Sequence, residues 1–128
     1  MINRILDTQI RNMKSGEEID ALIAEKIFGM KFRKPGHGTC CTCQTCGYHY
    51  DDCICGYSTY LEKAWDVIEA FQFGKYPSKF ATNCEIDINI NEDVYECKIQ
   101  SPTLLVSASA DCFSLAVCRC ALLAILSE

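Results

Sequence analysis

Several signatures of common chemistry are missing from this 128-residue sequence, and each absence narrows what the chain can do. There is no Gly-rich phosphate loop, no His-Glu-x-x-His pair and no serine elbow, so the usual nucleotide, metalloprotease and serine-hydrolase arrangements are not on offer. Histidine is scarce: the two residues, His37 and His49, flank or enter a dense cysteine cluster, which leaves neither free to act as a base elsewhere. No clean apolar run is long enough to span a bilayer, because Leu104 to Leu126 is interrupted by Ser107, Ser109, Asp111, Ser114 and Arg119. The opening MINRILDTQIRNMK has no apolar stretch leading to a small-residue cleavage site, so a cytoplasmic protein is expected. Excess positive charge is missing too. The net charge is −5, and residues 37–128 hold five basic against twelve acidic side chains, which disfavours nucleic acid as a partner. Internal repeats and low-complexity segments are absent.

What is present is a folding composition, 49% apolar with 23% charged residues, in a chain of one-domain length. The spacing predicts a helix over 15–29, with Ser15 and Glu18 as a capping box, Ile19, Leu22, Ile23 and Ile27 on one face, and Gly29 as the stop. Ile2, Ile5, Leu6 and Ile10 also fit a helical repeat. Residues 30–35 suit a short strand. A second capping box, Thr59 with Glu62, opens a helix near Ser58 whose face is Leu61, Ala64, Trp65 and Ile68. Strict alternation over 82–90 and 94–100, joined by Asn91-Glu92-Asp93, predicts an antiparallel hairpin with Cys84, Ile86, Ile88, Tyr95, Cys97 and Ile99 inward and Glu85, Asp87, Glu96 and Lys98 outward. A third strand at 103–108 fits beside it. The last helix, 111–126, has Asp111 as its expected N-cap and is apolar nearly all round, so it needs cover on more than one side. The fold class that follows is α+β: one domain, 1–128, with a small, mainly antiparallel sheet packed with helices.

Residues 36–56 interrupt this scheme with a Cys-rich insertion. Six cysteines fall within 40–55. Cys43 and Cys46 form a Cys-x-x-Cys turn followed by Gly47, and Cys53 with Cys55 gives a second pair ahead of Gly56. Two such pairs supply the four tetrahedral sulfur donors that zinc favours, with Cys40 or His49 as a substitute ligand. A structural Zn2+ is therefore expected in this loop, with an iron–sulfur cluster or metal-free thiols as alternatives. Disulfides are not expected in a reducing compartment. The remaining five, Cys84, Cys97, Cys112, Cys118 and Cys120, fall on core elements and read as small apolar side chains. Cys118 stands beside Arg119, an arrangement that lowers a thiol pKa, yet without a free histidine no thiol enzyme is expected.

Four blocks, SGEEIDALIAEKIFGMKF, YSTYLEKAWDVIEAF, the hairpin ending in YECKI, and LAVCRCALLAIL, together resemble the small phage and prophage proteins of the phage ABA-sandwich domain family. The resemblance covers about half of the chain and implies a helix–sheet–helix sandwich. It supplies no catalytic residues, and the six-cysteine insertion departs from the family pattern. The wet Glu85, Asp87, Glu96 and Lys98 face sits uneasily with a sheet covered on both sides, and suggests that one face is open or binds a partner.

The expected role is a non-enzymatic phage accessory protein in the host cytoplasm that binds a host protein or sequesters a small molecule, in the manner of a host-defence inhibitor. One alternative is a zinc module contacting nucleic acid through Lys31, Arg33, Lys34, Tyr48 and Tyr50. Another is a zinc-dependent hydrolase using Asp51 or Asp52 as base. Self-association as a homodimer is expected from the surplus apolar surface of the last helix and from the Ile2-Ile5-Leu6 segment.

Overall fold

The computed structural model describes residues 3–28, 56–73, 84–102 and 104–127. Among the described residues four helices and three strands follow the order α1 (Arg4–Arg11), α2 (Glu17–Lys26), α3 (Leu61–Phe73), β1 (Glu85–Asn91), β2 (Val94–Ser101), β3 (Leu104–Ala110) and α4 (Phe113–Leu126). The α+β class and the antiparallel hairpin are as expected. The predicted strand at 30–35, the stop at Gly29 and the insertion up to residue 55 lie outside the described residues.

The three strands form one antiparallel sheet in the order β1-β2-β3. Ile86 pairs with Ile99 and Ile99 with Val106; Ile88 pairs with Cys97 and Cys97 with Ala108. This register places the alternating apolar residues on one face, where Cys84, Cys97, Ile99, Ala108 and Ala110 are buried. Glu85, Asp87, Asn89, Glu96, Gln100 and Ser109 are exposed on the other face, while Lys98 is half-buried. The two-residue turn after Asn91 is tight, and Glu92 adopts a positive φ of 56° to close it.

Helix α4 packs on β2 and β3, where the small side chains of Ala108 and Ala110 leave room for it, and its opposite side is covered by α2 and α3, with α1 alongside. It is therefore buried on all sides: Leu115, Ala116, Val117, Cys118, Cys120, Ala121, Leu122, Leu123 and Ala124 all belong to the core. The expected need for cover on more than one side is met within the chain, which removes surplus α4 surface as a reason for dimerisation. Among the described residues α4 lies against β2 and β3 and meets α1, α2 and α3, and α3 also touches β1.

Four local expectations are corrected. Helix α2 is capped by Gly16, at φ 147° and with no side-chain cap, because the Ser15 hydroxyl is donated to the Ser58 carbonyl instead. Helix α3 starts at Leu61, after a turn in which the Thr59 and Tyr60 N–H groups donate to the Gly56 carbonyl. Its buried face is Ala64, Val67, Ile68 and Phe71, which leaves Leu61 and Trp65 outside, Trp65 being 52% exposed. Helix α4 is capped by Cys112 rather than Asp111, without a side-chain hydrogen bond.

Arg119, the one charge on α4, is satisfied inside this packing. Its Nε and guanidinium nitrogens donate to the Met13 and Ser109 carbonyls at 2.5–2.9 Å. Burial lowers its pKa, with Asp111 and Cys112 pulling upward, and a guanidinium remains cationic under such shifts.

Candidate functional site

The expected metal ligands Cys40, Cys43, Cys46, His49, Cys53 and Cys55 all lie outside the described residues, as do Lys31, Arg33, Lys34, Tyr48, Tyr50, Asp51 and Asp52. Among the described residues no group of three or more His, Cys, Asp or Glu side chains is placed to hold a metal ion. The described chain does contain the two stems from which residues 29–55 depart and return, and those stems meet.

Asp20 is the centre of this junction. It faces inward from the middle of α2 and is buried, and its carboxylate accepts from two backbone N–H groups just after residue 55: Gly56 at 2.9 Å and Ser58 at 2.8 Å. A buried carboxylate requires such partners, since desolvating it unpaired is strongly unfavourable. The fully buried Ser58 then ties the same turn to the start of α2: its Oγ accepts from the Gly16 N–H at 3.1 Å and its carbonyl accepts from the Ser15 hydroxyl at 3.0 Å. The Cys112 thiol approaches that carbonyl at 4.0 Å. Aromatic packing completes the junction. Phe28, the last described residue before the insertion, stacks on Tyr57, the second described residue after it, with ring centroids 5.1 Å apart and planes 20° apart. Lys63 Nζ lies 5.4 Å from the Tyr57 ring centroid.

Gly56 is required where it stands. Its φ of +105° disfavours any L side chain, and a Cβ there would meet the Tyr60 ring at 2.5 Å. Tyr60 immediately precedes α3, on which Leu61 and Trp65 lie one helical turn apart on the same side. All three are more than half exposed. An open cleft of about 680 Å³ lies nearby along the α1–α2 turn, walled mostly by polar groups of Gln9, Asn12, Lys14, Ser15 and Glu18.

The described cysteines are thiols rather than disulfides, and all but Cys112 are buried. Burial pushes the Cys118 thiol well above its ordinary value, with Asp20 and Cys112 adding to the rise. The lowering suggested by its neighbour Arg119 does not occur, because that guanidinium is turned to the Met13 and Ser109 carbonyls. Cys120 is raised as well, first by its hydrogen bond with Cys97 and then by burial. Thiols held protonated in a core are poor nucleophiles, in agreement with the structural role expected for them.

Sequence patterns gave no hint of the part played by Asp20. An acid in an amphipathic helix, here one of four with Glu17, Glu18 and Glu25, ordinarily reads as solvated, and the partners of Asp20 lie 36 and 38 residues away. The available signal was its place beside Ile19 and Ile23, on the buried side of α2.

The model for the phage ABA sandwich domain matches residues 21–122, from within α2 to within α4. This chain belongs to the phage ABA sandwich domain family. Among solved structures, the crystal structure of a phage protein from Bacillus cereus ATCC 14579 resembles this ABA sandwich domain with a TM-score of 0.57 and 22% sequence identity, over 87% of this chain and 92% of that chain. At that identity the likeness is one of fold. No curated protein matches the chain. The family match spans residues 29–55, so the Cys-rich segment of this ABA sandwich domain lies inside the matched region.

Proposed function

We propose that this ABA sandwich domain is a non-enzymatic phage accessory protein that binds a host protein, with blocking of a host-defence component as the role such binding serves. The observation that carries this reading is the exposed Tyr60-Leu61-Trp65 cluster beside the junction. Aromatic side chains dominate binding energy at protein interfaces, and a Trp and a Tyr left open next to Leu in a small domain mark a surface suited to a protein partner. Sequestration of a small molecule is the second reading; among the described residues the cleft at the α1–α2 turn is polar and open, whereas small-ligand pockets are mostly apolar and enclosing.

In this reading the Cys-rich segment carries a structural Zn2+ held by Cys43, Cys46, Cys53 and Cys55, with Cys40 or His49 as substitute. The donor chemistry supports it: a segment poor in aliphatic residues gains from metal binding the order that a core would otherwise supply. The clamp at Asp20 and the Phe28–Tyr57 stack tether both ends of the segment whether or not metal is bound.

Pull-down from host lysate with the wild-type chain and with Trp65→Ala tests the binding reading, run beside a nucleotide-binding screen. A host protein retained by wild type and lost with Trp65→Ala supports it. Capture of a nucleotide instead assigns the small-molecule role, and failure of both refutes a binding function. For the metal, elemental analysis of protein purified under reducing conditions without chelator is expected to find stoichiometric zinc. Cys46→Ser is expected to lower that content and to increase proteolysis near Tyr48 more than it changes the circular dichroism.

A further inference from the structure

The two outer strands of the sheet are finished differently. Along β3, the carbonyls of Ser107 and Ser109 accept from the guanidinium groups of Arg11 and Arg119, at 2.7 and 2.8 Å, so two cations cap that edge. Among the described residues β1 has no such cover. Its core-facing row is Ile86, Ile88 and Ile90; α4 packs over β2 and β3 and α3 reaches β1 only lightly, so Ile86 and Ile88 are half-buried against the core and Ile90 is 66% exposed. The opposite row, Glu85, Asp87, Asn89 and Asn91, is exposed along its whole length. A seven-residue strand that is outermost among the described residues, with an isoleucine row only partly covered, is a template for pairing.

We propose that β1 is the seam of a homodimer, pairing antiparallel with β1 of a second copy about Ile88, so that two three-stranded sheets become one of six strands. The occupant is read from the strand's own sequence. Centred on Ile88, the pairing sets Ile88 opposite Ile88 and Ile86 opposite Ile90, which extends each apolar row with the other. On the polar face it sets Asp87 opposite Asn89 and Glu85 opposite Asn91, so each acid meets an amide that can donate to it. The neighbouring registers are worse. Centring on Asp87 opposes two aspartates at the axis, and centring on Asn89 brings Glu85 opposite Asp93 and Ile86 opposite Glu92. Like charges directly opposite destabilise a strand pair, so the charge pattern selects one register. This dimer is independent of zinc and of any host partner.

Sedimentation equilibrium of the full chain, in reductant and over a wide concentration range, is expected to show reversible growth from 14.4 kDa to twice that mass. Ile90→Lys sets an inward charge on the seam at a position the monomer leaves open, and is expected to abolish the dimer while leaving the circular dichroism unchanged. Asn89→Asp opposes Asp87 with a second aspartate twice over, by symmetry, and is expected to weaken the dimer about tenfold; Asn89→Lys is expected to tighten it. In the wild type, amide protection over 85–91 is expected to rise with protein concentration. A monomer at every concentration, a dimer indifferent to Ile90→Lys and Asn89→Asp, or protection over 85–91 that does not vary with concentration would each overturn the proposal.

Discussion

Helix α4 and the junction at Asp20 are both buried, yet they are held in opposite ways. The helix is fixed by apolar contact on every side, spread over the sheet and three helices, so no single contact decides its position. The junction is fixed by a few directed hydrogen bonds from one carboxylate and one serine, together with one aromatic stack. The first arrangement is tolerant and redundant; in the second, each group is needed by the others.

Five substitutions at four positions test that contrast, the positions taken in order of expected effect. Phe71→Ala removes a fully buried ring from the layer of α3 against α4, and should lower stability by about 3–5 kcal/mol in denaturant unfolding, with the chain still folding to the same structure. Asp20→Ala leaves the Gly56 and Ser58 N–H groups buried without acceptors and should cost about 2–4 kcal/mol. Asp20→Asn keeps one acceptor and turns a donor toward the other N–H, so it should fall between wild type and alanine. If Asn and Ala behave alike, the two-acceptor account of the junction is wrong. Gly56→Ala forces a side chain into a left-handed backbone position and against the Tyr60 ring, and is expected to cost about 1–3 kcal/mol and to shift the near-ultraviolet tyrosine signal. Trp65→Ala should leave stability within about 0.5 kcal/mol, because the ring is outside the core. A larger loss would mean that Trp65 supports the fold, and would weaken its use as a binding probe. As the single tryptophan of the chain, it also reports partner binding by its own fluorescence.

The sheet was legible in the sequence because its signal is local. The alternation of Ile86, Ile88, Tyr95, Cys97 and Ile99 with acids and amides fixes face and register without reference to the rest of the chain. Helix α2 was legible for a similar reason, through Ile19, Ile23 and Ile27. The face of α3 was not. Its apolar residues at 61, 64, 65, 67, 68, 70 and 71 occupy so much of the helix circumference that two overlapping stripes fit, sharing Ala64 and Ile68. Only the packing against α4 selects the one with Val67 and Phe71. Caps failed where a tertiary partner competed with the local one: the Ser15 hydroxyl is used by Ser58, 43 residues away, and is lost to its own helix. The junction was illegible as a whole, since Asp20, Phe28, Tyr57 and Ser58 acquire their roles only from one another.

The position of α4 in the chain has a consequence for biosynthesis. The helix on which α1, α2, α3, β2 and β3 converge follows all of them in sequence. While the ribosome is making residues 1–110, Ile10, Ile19, Ile23, Val67, Phe71 and Ile99 therefore have no central helix to pack on. The core of the described residues can be completed only after residues 113–126 have emerged, when Arg119 can donate to the Met13 carbonyl. A product cut short before residue 113 cannot complete this core and is left to chaperones and proteases.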